Sequence, residues 1–349
     1  DENGLVNYAE VIGGEEVTCG DFECAVPLDS WSTDTGWSIG SGLASCDGTQ
    51  TTFSYLTQSA LSISDKVYQI KFSVTRSAGT LRPQFVGGSS GVSSSDITSS
   101  GEYTIYMQPV DNVIIRFRAN SSFVGSITNV SVKEVTRDNV PRIDYTGGGC
   151  PHILAEPMRT NLIPYSEEIS QYSRAGGTTV INDNTTSPDG TVNASKVTKG
   201  GTTPNERVYV DNFNISNTTN YSLSAFIKND DIVNGGVSTI AARNNGGTLF
   251  RQGYEWNGST LSITSSQQGG TRTNVLLEDY GNGWWKIGFS FTSDGTQADI
   301  EFDIDRVNGA DTTAIFLWGV QLEVGSYGTS YIPNFGTAAG VTRNQDIFT

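Results

Sequence analysis

The sequence has one histidine, two methionines and four cysteines in 349 residues, and sets 21 basic side chains against 37 acidic ones. Each shortage excludes something. With His152 the only imidazole, acid–base chemistry near neutral pH falls to a strongly shifted carboxylate or lysine. No nucleophile elbow, glycine-rich phosphate loop or histidine pair stands beside it. Carboxylates are plentiful, but none sits in a recognisable glycosidase context. The chain is therefore expected not to be an enzyme. A net charge of -16 repels the phosphates of nucleic acid. The longest apolar run, about Ala314 to Val320, is far shorter than the roughly 20 residues that cross a bilayer. The opening Asp-Glu-Asn-Gly is no signal peptide, so a soluble protein without membrane insertion is expected. The missing initiator methionine and the abrupt end at Asp346-Ile-Phe-Thr349 read as a segment of something longer.

Cys19, Cys24, Cys46 and Cys150 are too few to staple a chain of this size. They suit a reduced compartment, with a Cys19–Cys24 bridge as the alternative if a turn closes the pair. Cys150 and His152 supply two ligands where a zinc site needs four, and a buried strap with an inert thiol and imidazole is the plainer reading.

What the chain does have is glycine, 40 residues of it, with abundant Ser, Thr and Asn, the composition of short strands and tight turns. Tyr68, Ile70, Phe72 and Val74 alternate with polar neighbours, as do Tyr103, Ile105 and Met107, then Val113, Ile115, Phe117 and Ala119; period-2 alternation marks strands with one buried side. No convincing helix of three turns appears. The expected fold is all-β: two tandem β-sandwich (jelly-roll) domains joined by an extended strap, with almost no helix. The expected boundaries are an N-terminal arm at 1–17 containing a strand within Leu5–Ile12, a first sandwich at 18–136, a strap at 137–160 rich in Pro and Gly, and a second sandwich at 161–349. The second domain echoes the first in order: Tyr221–Ile227 answers the Tyr68 strand, Asp299–Asp305 the Val113 strand, and Ala314–Glu323 the closing strand Ser126–Val135.

Candidate sites follow from residue type. Exposed Trp rings stack on sugar C–H faces, and Trp31, Trp37, Trp256 and Trp284 are the candidates, against the plainer reading that they fill the cores. Asp299, Glu301, Asp303 and Asp305 share one side of a strand whose other side is Ile300, Phe302 and Ile304. They form either a solvated face opposite Arg or Lys on neighbouring strands or, with Asp189 in the Ser187-Pro-Asp-Gly190 turn as a second place, a calcium site. No cofactor is required, and Ca2+ is the candidate ion. Ala314–Val320 is apolar on both faces, so something must cover its outer side; the strap is the first candidate and a second protomer the next.

Several segments resemble a module of tailed-bacteriophage virion proteins: Pro141-Arg-Ile-Asp-Tyr145 with Gly147-Gly-Gly-Cys-Pro151, Glu156-Pro-Met-Arg-Thr-Asn-Leu-Ile-Pro-Tyr-Ser166, Leu317-Trp-Gly-Val-Gln-Leu-Glu323, Thr329-Ser-Tyr-Ile-Pro333 and Thr342-Arg343. In that module a stretch like Glu2-Asn-Gly-Leu-Val6 runs almost directly into the Pro-Arg-Ile-Asp-Tyr segment, so residues 12–136 look like an insertion. The inserted domain is similar to carbohydrate-binding jelly rolls of polysaccharide hydrolases through Gly20-Asp-Phe-Glu23, Trp31, Gly36-Trp37 and Ile127-Thr-Asn-Val-Ser-Val132, with Thr128 where those modules often carry a calcium-ligating Asp. The resemblance implies a virion protein, a tail or head fibre or similar appendage, made in the host cytoplasm, that displays glycan-binding modules for host attachment. Its implied partners are other virion subunits, further copies of itself as a homo-oligomer (trimer), and host surface polysaccharide. A purely architectural capsid or tail decoration is the alternative, and a surface-polysaccharide depolymerase ranks third.

Overall fold

The structure, a computed structural model, describes residues 10–59, 66–87, 91–109, 114–136, 142–144, 152–201, 203, 206–245, 247–264, 268–307 and 312–346. The chain separates into two units, Glu10–Arg137 and Asp1–Ala9 with Asp138–Thr349. Both are all-β. Among the described residues the only helical geometry is two single 3-10 turns, Pro27–Asp29 and Ile169–Gln171.

The strands of the N-terminal unit are β1 (Val11–Glu15), β2 (Ser32–Thr33), β3 (Trp37–Gly40), β4 (Leu43–Cys46), β5 (Ser54–Gln58), β6 (Val67–Ala78), β7 (Leu81–Val86), β8 (Val92–Ser93), β9 (Gly101–Met107), β10 (Ile114–Ala119) and β11 (Val124–Thr136). They form two antiparallel sheets, β3-β4-β11-β6-β9 with β1 on β11, and β2-β5-β10-β7-β8. Tyr68, Ile70, Phe72 and Val74 of β6 and Ile115, Phe117 and Ala119 of β10 point into one shared core, as their alternation predicts. In the arm, a strand runs over Val11–Glu15, with Gly13 and Gly14 inside it; most of the expected Leu5–Ile12 strand falls in residues 1–9, which lie outside the described residues.

The C-terminal unit contains β12 (Arg142–Asp144), β13 (His152–Leu154), β14 (Arg159–Asn161), β15 (Ser173–Ala175), β16 (Thr179–Thr186), β17 (Val192–Thr198), β18 (Arg207–Asn214), β19 (Asn220–Asn229), β20 (Val237–Asn244), β21 (Leu249–Asn257), β22 (Thr260–Ile263), β23 (Gln268–Gly269), β24 (Thr273–Asp279), β25 (Trp284–Thr292), β26 (Gln297–Asp303), β27 (Ala314–Val324) and β28 (Val341–Arg343). Its large sheets are β16-β17-β27-β19-β25-β24 and β15-β18-β26-β20-β21-β22, with β23 on β21. Replace β2–β11 in order by β15–β21, β25, β26 and β27, and the two strand orders of the first sandwich become those of the second. The repeat extends to an irregularity. The ladder β11·β6 shifts register between Thr128 and Ser131, where Asn129 has φ 55°, and the equivalent ladder β19·β27 shifts beside Gly319, with φ 63°. Such a bulge flips which side chains face the core. Ile127 precedes it and Val130 and Val132 follow it inward, while Leu317 precedes and Val320 follows.

Within the strap, β12 pairs with β13 antiparallel; residues 137–141 and 145–151, Cys150 among them, lie outside the described residues. The outer side of β27 is covered by the chain's own following segment: Tyr331 packs with Trp318, Phe226, Phe316, Ala194 and Trp284 in a second small core. The expected cover, the strap, contributes its last piece, since β14 pairs with β28. Buried polar contacts fasten this layer. Asn161 Nδ2 donates to the carbonyls of Val320 and Ile332, at 3.1 and 2.8 Å. Ser166 Oγ and the Tyr331 hydroxyl share a hydrogen bond of 2.6 Å. Glu323 accepts from the backbone N–H and hydroxyl of Thr329, at 2.9 and 2.5 Å. Arg343 pairs with Glu156 at 3.1 Å. Four of the segments that resemble the virion module, Glu156–Ser166, Leu317–Glu323, Thr329–Pro333 and Thr342–Arg343, thus meet in one place, where they hold the cover down.

Candidate functional site

The four tryptophans expected to meet sugar do not reach the surface. Trp31 is 1 % exposed, Trp37 6 %, Trp256 0 % and Trp284 2 %. Trp31 packs on Phe22 and Phe117 and its indole N–H donates to the Cys19 carbonyl at 3.0 Å. Trp37 lies against Phe123. Trp256 donates to Ser238 Oγ and Trp284 to the Thr186 carbonyl. Parity correctly sent Trp284 to the side of β25 opposite Ile287 and Phe289, but the cover makes that side dry too. A ring without a free face offers no stacking platform, so all four are corrected to core residues. The thiol expectation changes as well: Cys19 and Cys24 form a disulfide beside Trp31, and Cys46 is a buried free thiol. At Thr128, which stands where the resembling modules often carry a calcium-ligating Asp, the hydroxyl donates to the Gly42 carbonyl at 2.9 Å.

Of the four carboxylates on the acidic strand only Asp299 is partly exposed; the other three are not solvated, and the four are not arranged for calcium. Glu301 and Asp303 are 0 % exposed and Asp305 is 1 %, because arginines from neighbouring strands converge on them, as the plainer expectation placed them. Glu301 takes Arg243 at 2.7 Å, Arg251 at 2.8 Å and Arg207 at 3.7 Å. Ala241, directly opposite both Glu301 and Arg251, is small enough for Arg251 to reach across it. Asp303 meets Arg251 at 3.4 Å, Arg306 at 3.2 Å and the Thr239 hydroxyl at 2.5 Å. Burial pulls the Arg251 guanidinium below its ordinary value against the pull of Asp303 and Glu301, whereas its hydrogen bond to Glu301 raises Arg243. Asp305 accepts backbone N–H groups of Val237 and Val307, and burial raises the Asp299 carboxyl. Asp189 is occupied within its own turn by Ser187 and Thr191. Calcium needs six to eight oxygens. Here guanidiniums and backbone hold the oxygens, and no group of metal-ligating side chains forms among the described residues.

A different surface has the chemistry sought. On the sheet β2-β5-β10-β7-β8, core-facing Ile115, Phe117 and Leu56 leave the opposite parity, Arg116 and Arg118 on β10, Tyr55 on β5 and Arg82 and Gln84 on β7, pointing out. The Arg116 guanidinium lies 4.3 Å from the Tyr55 ring centre and that of Arg118 4.4 Å from Phe53, a ring 54 % exposed. Arg116 Nε donates to Gln84 Oε1 at 3.0 Å, and Gln84 Nε2 donates to Ser93 Oγ at 2.7 Å, so a side-chain relay holds the guanidinium. Arg82 pairs with Asp96 at 2.7 Å, and Arg118 stands 4.0 Å from the same oxygen. At the Phe53 end an open hollow of about 570 Å³ is walled by Thr80, Asp96, Arg118 and Asn120. Flat rings and planar cations on a rigid sheet, held from beneath by the buried Gln84 amide, are suited to orienting a sugar chain. The signal was present in the sequence: the alternation that identified Ile115, Phe117 and Ala119 as core also put Arg116 and Arg118 outside.

No protein-family model and no curated protein matches the chain. Among solved structures it is similar to the CBM22-1-CBM22-2 tandem domain of Xyn10C from Paenibacillus barcinonensis, with TM-score 0.32 and 10% identity over 90% of this chain and 98% of that one. It is also similar to the cycloalternan-forming enzyme from Listeria monocytogenes in complex with pentasaccharide substrate, with TM-score 0.21 and 10% identity over 84% of this chain and 22% of that one. Likenesses at these scores fix neither family nor function.

Proposed function

We propose that this is a non-catalytic structural protein of a tailed-phage virion, a fibre or appendage, whose N-terminal sandwich touches polysaccharide on the host surface. The observation that carries the glycan reading is the outward face of Tyr55, Phe53, Arg116 and Arg118, where rings and guanidiniums share one rigid sheet and the buried Gln84 amide holds Arg116 in place. Support for the virion reading is the resemblance of Glu156–Ser166, Leu317–Glu323 and Thr329–Pro333 to a virion module. A shallow face of this kind binds one chain weakly, in the roughly millimolar range or about 4 kcal/mol, and many copies on one particle would raise the avidity.

The test is co-sedimentation of the full chain with host cell-envelope polysaccharide. Tyr55→Ala, at a half-buried surface position, should weaken binding about tenfold or more while leaving the β-sheet circular dichroism spectrum intact. Retention equal to wild type would move the glycan contact off this face, and no retention of either protein alongside assembly with other virion subunits would favour the architectural alternative.

A further inference from the structure

We infer that the ligand of this face is an anionic polysaccharide, one that presents carboxylates as uronic acids do. The inference rests on the glycan reading above and adds the ligand's charge. In a chain with 37 acidic and 21 basic side chains, the strands β2, β5, β7, β8 and β10 contain no Asp or Glu, and their outward side carries Arg82, Arg116 and Arg118. Arg118 sits directly opposite Arg82 in the ladder, a like-charge placement that destabilises a sheet. Among the described residues Asp96 is the acid near both, and it lies 4.0 Å from Arg118. The terminal nitrogens of Arg116 have no hydrogen bond or ion pair among the described residues; its Nε bond to Gln84 and its place over Tyr55 aim it outward.

The second sandwich supplies an internal control. Its equivalent sheet, β15-β18-β26-β20-β21, also carries arginines, but the central strand answers them with Glu301 and Asp303. On the first sandwich the central strand itself carries the arginines, and the matching acid is missing from the sheet. Guanidinium forks fit carboxylates bidentately. Two arginines at alternate positions of one strand stand about 7 Å apart, a spacing along which a linear polyanion can lie. The overall charge of -16 does not prevent this, because beyond about 8 Å physiological salt screens exposed charges.

The experiment uses the full chain in affinity electrophoresis against polygalacturonate, alginate and hyaluronate, with methyl-esterified polygalacturonate as the uncharged counterpart and short single-stranded DNA as a polyanion of another class. The expected result is retardation by at least one uronate polymer, at least fivefold weaker on the methyl ester and on DNA, falling with salt, and reduced tenfold or more by Arg116→Gln with Arg118→Gln at unchanged melting temperature. Arg118→Lys should restore only part of it, since the charge returns without the fork. Equal retardation by ester and acid, abolished by Tyr55→Ala but untouched by the Arg→Gln pair, would overturn the anionic ligand and leave the glycan reading standing. DNA binding as strongly as uronate would also overturn it, and absence of binding to every polysaccharide, together with the host envelope fraction, would sink both readings.

Discussion

Replacing Glu301 by glutamine removes one charge from a place where three guanidiniums meet, and the size of the effect follows from their burial. Arg251 is 6 % exposed and its Glu301 contact is 2.8 Å; the Arg243 and Arg207 side chains are 42 % and 23 % exposed, so solvent screens their share. Breaking a buried pair from one side costs roughly 3–5 kcal/mol because the remaining charge stays buried. Asp303 still faces Arg251 at 3.4 Å and the amide keeps the shape, which puts Glu301→Gln at the low end, about 3 kcal/mol. For a domain of this size that lowers Tm by roughly 6–12 °C. Differential scanning calorimetry of the full chain measures it, and urea titration gives the free energy. Glu301→Gln combined with Arg251→Gln should cost less than the two single losses added, because the residues act on each other. A loss below about 1 kcal/mol, the ordinary value for surface pairs, would refute the claim that this face is dry and internally neutralised.

Other outcomes follow from the same structure. Trp31→Ala should destabilise the N-terminal sandwich by about 3–5 kcal/mol, read by urea denaturation; a stable, folded Trp31→Ala protein that loses only glycan binding would restore the ring as a binding residue. Burial pushes the Glu323 carboxyl above its ordinary value near 4.5, against its bonds to Thr329. The folded protein therefore holds that proton when the unfolded chain has released it, and stability falls as pH rises through the interval. Glu323→Gln removes this dependence, so the variant should gain on wild type between about pH 4 and neutrality; a constant difference across that range would contradict the sign.

Much of the fold was legible because alternation is a local property. Tyr68, Ile70, Phe72 and Val74 announce their face without help from the rest of the chain, and the Asp299–Asp305 strand announced its acidic side. What alternation leaves open is what lies above a face. Nothing near Glu301 in sequence reveals that Arg207, Arg243 and Arg251, 94, 58 and 50 residues earlier, will roof it. Nor does the Trp284 segment show that Tyr331 will help to close its side. A single positive-φ residue, Asn129 or Gly319, resets parity and cannot be told from an ordinary strand residue beforehand. The proposed contact face was missed for a simpler reason: tryptophan drew attention as a sugar platform, although large aromatics in a sandwich this size are mostly core, while Tyr55 and two arginines of opposite parity to a well-marked core strand passed as solvent-facing filler.

The central claim, that the outward side of β2-β5-β10-β7-β8 is the contact surface, is tested most directly by NMR shift mapping of the full chain titrated with uronate oligosaccharides. The Nε–Hε resonances of Arg116 and Arg118 and the amides of residues 54–58 and 114–119 should move together and saturate at roughly millimolar ligand. Shifts confined to other surfaces, with those arginine signals unmoved at saturation, would contradict it.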